Sequence, residues 1–104
     1  MVQDAFDRYV FEGLMPDVVG HDRRPVAFIV YLHLYRLASQ QAHWTVRASH
    51  QTIADATGLS RSTVQSALGH LQTRQLIVSS REHPTAVPMH KVMQPWTRFG
   101  RSKS

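Results

Sequence analysis

Residues 51–71, QTIADATGLSRSTVQSALGHL, constrain the fold more than any other part of this chain. Val64, Ala67, Leu68 and Leu71 recur at i, i+3, i+4 and i+7, which draws an apolar stripe along one helix face. Ile53 and Ala54 give the preceding segment an apolar pair of its own, and Leu59 lies between the two. Ala54 is small, as a close crossing of two helices at a short turn requires. Gly58 stands where the first helix must stop, because a left-handed residue ends a helix and glycine adopts that conformation at least steric cost. Ser60 then precedes the second helix, where its hydroxyl can accept a hydrogen bond from an orphan N–H of the first turn. Ser49 is placed to do the same for the first helix. The expectation is two helices joined at Gly58, the second running over residues 60–74.

The side chains left off the stripe are Arg61, Ser62, Gln65, Ser66 and His70. They are short or flexible hydrogen-bonding groups. An ordinary solvated helix face mixes in carboxylates, yet no Asp or Glu occurs between Ser60 and Arg81. Such a face suits the major groove of DNA, where Arg pairs with guanine, Gln with adenine and Ser with several acceptors. A helix-turn-helix contacting DNA is the reading that follows.

Charge points the same way. The 104-residue chain carries a net +5, and the excess is uneven. Residues 1–22 hold one Arg against five acids, a net −4, whereas residues 23–104 hold eleven Lys or Arg against two acids, a net +9. Clustered cations displace counterions from DNA and give binding a sequence-independent component. With no cysteine, disulfides, cysteine-ligated zinc and thiol catalysis are excluded. No signal-peptide pattern is evident at the start, and the longest apolar run, 26–32, is far short of the ~20 residues that span a bilayer. No membrane association and a bacterial-type cytoplasmic setting are expected.

Along the chain, residues 3–14 are expected to form a short helix with Phe6, Tyr9, Val10 and Leu14 on one side, interrupted at Pro16 and Gly20. Pro25 suits the first turn of a helix over 25–40, which is apolar on nearly every side, with Tyr31, His33, Tyr35 and Arg36 as its wetter edge. A helix of that kind is buried on more than one face, by the N-terminal segment or by a second copy of the chain. Residues 43–47, HWTVR, read as a short strand. Residues 76–78 and 89–93 read as a hairpin whose tip, 81–88, takes Pro84 and Pro88. Residues 96–104 read as a basic tail. The division is an N-terminal extension (1–24), a central domain (25–95) and that tail (96–104), with an architecture that is mainly α plus a small antiparallel β-hairpin.

This order resembles the winged helix-turn-helix family of bacterial regulators and replication initiators. The residues carrying it are 49–58 (SHQTIADATG), 59–64 (LSRSTV), Ala67-Leu68 with Leu71, and Gln75-Leu76-Ile77. The match is similar to GntR-type regulators and to winged domains of plasmid and phage replication proteins. The resemblance implies that the helix over 60–74 lies in the major groove and that the hairpin touches the backbone or minor groove. It implies Arg61, Ser62, Gln65 and Ser66 as base readers. Ser49, Thr52, Ser60 and Thr63 would lie near phosphates, and Arg81, His83 and Lys91 would act in the wing. Gln75 departs from the pattern, since the family often has glycine there, and the wing tip carries two prolines and few cations.

The function expected is sequence-specific binding of double-stranded DNA by a small transcriptional regulator without a ligand-sensing domain, acting by occupancy alone or through an effector that is another protein. A replication-initiator module or a protein-interaction adaptor is the alternative, and a homodimer is left open as a partner. No enzyme activity, cofactor or metal is expected. The run Gly58-Leu59-Ser60-Arg61-Ser62 lacks the last glycine of a nucleophile elbow, and none of the seven histidines stands three or four residues from another. His50, His70, His83 and His90 lie near the expected DNA face, so affinity is expected to rise at mildly acid pH. Trp44 and Trp96 could stack on bases, though packing beside the hairpin is the simpler role.

Overall fold

The structure is a computed structural model and describes residues 8–94. Phe6, Pro95, Trp96 and the basic tail therefore lie outside the described residues. The helix α1 (Pro25–Ala38) is the hub, because its apolar side chains face several neighbours at once. Ala27, Phe28, Val30, Tyr31, Leu34 and Ala38 are buried. Pro25 takes the first-turn position, and the helix ends at Ser39, whose hydroxyl donates to the Arg36 carbonyl at 2.9 Å. Tyr31 does not belong to a wet edge. Its ring is fully buried, and its hydroxyl donates to the Met93 carbonyl at 2.7 Å.

The cover on α1 comes from both chain directions. Two consecutive π-helical segments, Tyr9–Leu14 and Pro16–His21, precede it and contribute Val10, Leu14 and Val18 to the same core. Helical structure thus continues through Pro16 and Gly20, where an interruption was expected. Pro16 starts a new segment and needs no hydrogen-bond partner there, and Gly20 has open space around it. On the other side α1 packs against α2 (His50–Thr57) and α3 (Arg61–Thr73).

The sheet has three antiparallel strands, β1 (Thr45–Arg47), β2 (Ile77–Ser80) and β3 (Met89–Val92), in the order β1-β3-β2. Strands β2 and β3 are the expected hairpin, with Ser79 opposite His90, and Ser79 and Ser80 continue β2 beyond its apolar start. Strand β1 joins the free edge of β3, with Val46 opposite His90. Trp44, at φ 53°, turns the chain into β1 and packs against Tyr35 in a tilted arrangement, with ring centroids 5.2 Å apart. The architecture is mainly helical with a small antiparallel sheet, a winged helix-turn-helix. No described helix is long and apolar enough to cross a membrane.

Candidate nucleic-acid interface

Each helix of the pair is fixed at its start by a serine. Ser49 Oγ accepts from the Thr52 N–H, and Ser60 Oγ accepts from the Thr63 N–H, both at 3.1 Å. Gly58, at φ 79°, is the left-handed stop, and its N–H donates to the Ala54 carbonyl at 2.9 Å. Hydroxyls cluster at both helix starts, with Ser49 and Thr52 2.9 Å apart and Ser60 and Thr63 2.7 Å apart.

Burial of Val64, Ala67, Leu68 and Leu71 fixes the rotation of α3. Arg61, Ser62, Gln65 and Ser66 are consequently exposed. So are Gly69 and Gln72, one and two turns beyond Gln65, which sequence reading did not single out although the i+4 and i+7 spacing contains them. One flank of α3 and the wing enclose a groove lined by Gln65, Gly69, Gln72, His50, Ser80 and Arg81, among others. The other flank faces a cleft bordered by Arg23 and Arg24 at the foot of α1. Neither arginine was a candidate, because a sequence read locally shows only a helix start there.

His70 stands apart from the exposed face of Arg61, Ser62, Gln65 and Ser66. At 100° per residue it falls on the flank turned toward the N-terminal segment, where its Nε2–H donates to Asp22 Oδ2 at 2.8 Å. Arg74, one turn on, pairs with Asp17 and with Asp22, the latter at 3.2 Å. The Asp22 side chain is only 6 % exposed. Hydrogen bonds from His70 and His21, helped by the Arg74 charge, hold its carboxyl below the usual carboxylate value despite burial. Asp17, His21 and Asp22 bring ligand-type atoms within 4.8 Å of one another, but Arg74 and His70 already occupy the carboxylates.

In the wing, Arg81 Nη1 donates to the Ala86 carbonyl at 2.9 Å and closes the loop, while His83 pairs with Thr85 at 3.1 Å. Both side chains are exposed. Lys91 is exposed too, but its neighbours His90 and Val92 point into the core, so strand alternation turns Lys91 to the sheet face away from α3. It is not brought together with the rest. His90 is also removed from the surface. Its Nε2 lies 3.0 Å from the Ala48 carbonyl and must donate, so Nδ1 accepts from the Ser79 hydroxyl at 2.8 Å. Burial keeps this imidazole neutral by lowering its pKa, and it joins both wing strands to the start of α2. His50 alone of the four expected histidines stands between cations. Partial burial, then Arg81 and Arg61, lowers its pKa.

Among curated proteins and among solved structures none matches the chain. The family of Crp-like helix-turn-helix domains matches residues 26–88, which run from α1 through the wing loop and contain both capped helices. Kinship with GntR-type regulators or replication initiators is no part of that match. A match over more than half the chain, on a fold with the corresponding helix pair and wing, shows that this protein belongs to the Crp-like helix-turn-helix family of DNA-binding domains.

Proposed function

We propose that the protein is a small transcriptional regulator that reads duplex DNA through the major groove with α3. The observation that carries this is the exposed, carboxylate-free face of Arg61, Ser62, Gln65, Ser66, Gly69 and Gln72, flanked on both sides by arginines. In this reading Arg61 and Gln65 pair with base edges, and Ser62 and Ser66 take the neighbouring acceptors. The hydroxyls of Ser49, Thr52, Ser60 and Thr63 meet phosphates beside the two helix starts, and Arg81 and His83 extend the contact along the wing. A second copy of the chain is the proposed partner on DNA. The exposed apolar side chains Phe11, Met15 and Ile29 on the N-terminal segment and α1 support it.

Selection of bound sequences from a random duplex pool tests the reading. A two-fold palindrome is the expected result. A single non-palindromic motif favours one copy per site, as in an initiator array. An absence of enrichment, together with binding that does not weaken as salt rises, leaves a protein-interaction adaptor and ends the DNA reading.

A further inference from the structure

We propose that Arg23 and Arg24 form a second phosphate clamp, gripping the DNA backbone on the flank of α3 opposite the wing. The proposal rests on the DNA reading above and adds a binding site to it. Both side chains are exposed in the turn that leads into α1. They look across a cleft of about 330 Å³ at Ser62, Thr63 and Ser66, on the starting turns of α3. Arg24 Nη1 donates to Ser66 Oγ at 3.4 Å, so a guanidinium already reaches the edge of the reading face.

Charge makes the pair available. Among the described residues neither arginine has a carboxylate partner, although Asp22 is next in sequence. Asp17 and Asp22 are instead taken by Arg74, His70 and His21. Both charges border one cleft with no carboxylate partner among the described residues, and a phosphodiester across that cleft supplies the missing counter-charge. Arg presents a planar fork that matches phosphate oxygens in pairs.

The turn is also held in place. The Arg24 N–H donates to the Val18 carbonyl at 2.9 Å, the Arg24 carbonyl accepts from Ala27 at 3.0 Å, and the Asp22 N–H donates to Asp17 at 2.8 Å. The Asp22 side chain ties the same turn to α3 through His70 and Arg74. Arg23 stands at φ 56°, a left-handed conformation in which glycine is the easier residue. The Arg23 charge has no ion-pair partner among the described residues. A helix seated in the major groove has a phosphate backbone along each side. The wing addresses one, with Arg81 beside His50, and the Arg23–Arg24 turn addresses the other.

The test is titration of wild type, Arg61→Ala, Arg23→Ala/Arg24→Ala, Arg23→Lys/Arg24→Lys and Arg23→Gly with random duplex DNA and with a selected sequence across a salt series. For the double alanine variant we expect a similar fold-loss on both DNAs. The slope of log affinity against log salt should become shallower by about two, and the selected sequence should be unchanged. The lysine pair should restore most of the slope. Arg23→Gly should melt no lower than wild type yet lose about one from the slope, which a merely structural role for Arg23 would not produce. Wild-type affinity and slope in the double alanine variant, with Arg61→Ala impaired, would overturn the clamp and leave the DNA reading standing. A wild type without salt-dependent binding would remove both.

Discussion

Gly69 lies on the exposed face of α3 with open space where a Cβ would project, so nothing within the described residues requires a glycine there. Inside a helix, glycine costs about 1 kcal/mol relative to alanine. Gly69→Ala should therefore stabilise the protein by about 0.5–1 kcal/mol in urea unfolding. The position lines the groove between α3 and the wing, so the same methyl should weaken DNA binding. Affinity left intact would mean that DNA does not approach the helix at this point. Arg61→Ala should weaken binding to a selected sequence by about 1–3 kcal/mol and relax preference at one base pair. An equal loss on all sequences would reassign Arg61 to a phosphate. The exposure of Arg61, Ser62, Gln65 and Ser66 was legible, since it follows from the spacing of four apolar residues on the same helix. The fate of His70 was not. Its partner Asp22 lies 48 residues away, and no local pattern announces a contact of that range. Which face of the sheet Lys91 takes was hidden for a related reason, because it depends on His90 being a core residue.

At the scale of elements, the caps and the helix pair follow from local chemistry, and the sequence places Ser49, Gly58 and Ser60 where the fold uses them. The exit from α3 is more instructive. Gln75 departs from an expected glycine, and it is indeed left-handed, at φ 60°. The turn keeps its shape, with the Leu76 N–H donating to the Leu71 carbonyl at 2.9 Å, and the glutamine bears the steric cost. Gln75→Gly should stabilise the fold by about 0.5–1 kcal/mol, less than the full strain because glycine also loosens the unfolded chain. A lower melting temperature in that variant would show that the Gln75 side chain contributes more than its backbone costs. The over-apolar α1 announced burial on several faces without saying by what. The cover is the π-helical N-terminal segment on one side and α3 on the other, and neither pairing can be read from α1 alone. Tyr31 shows the limit most plainly. A tyrosine beside His33, Tyr35 and Arg36 reads as an edge residue, yet this one is buried, its hydroxyl donating a hydrogen bond to the Met93 carbonyl 62 residues away. Tyr31→Phe should cost about 1–2 kcal/mol of stability, measured by denaturant unfolding, because it leaves that carbonyl without its donor.

Across the whole molecule, the split between an acidic start and a basic remainder acquires a structural meaning. Asp17 and Asp22 neutralise Arg74 and engage His70 toward the end of α3. Positive charge around the helix is thereby left at its start, with Arg61, Arg23 and Arg24, and in the wing, with Arg81. Two pH effects of opposite sign follow from this arrangement. His90 is buried and neutral, with a folded pKa below the ordinary histidine value of about 6.5. Its contribution to stability is complete above that value and is lost as pH falls through the folded pKa, because the unfolded chain binds the proton first. Asp22 adds a second loss at lower pH. Its folded pKa lies below the unfolded 3.8, so its contribution is present above 3.8 and disappears as pH drops through the folded value. DNA affinity should move the other way between pH 8 and 6. The His50 pKa is lowered by burial, Arg81 and Arg61, and a phosphate brought among these cations raises it again, so binding takes up a fraction of a proton. Affinity should rise as pH falls across this range while the melting temperature declines, and His50→Gln should flatten the first trend while leaving the share of the second that His90 carries. Parallel titrations and melts at fixed ionic strength read both. If affinity rises with acid equally in His50→Gln, the proton is not taken up at His50, and the contact between this side chain and the DNA backbone falls with it.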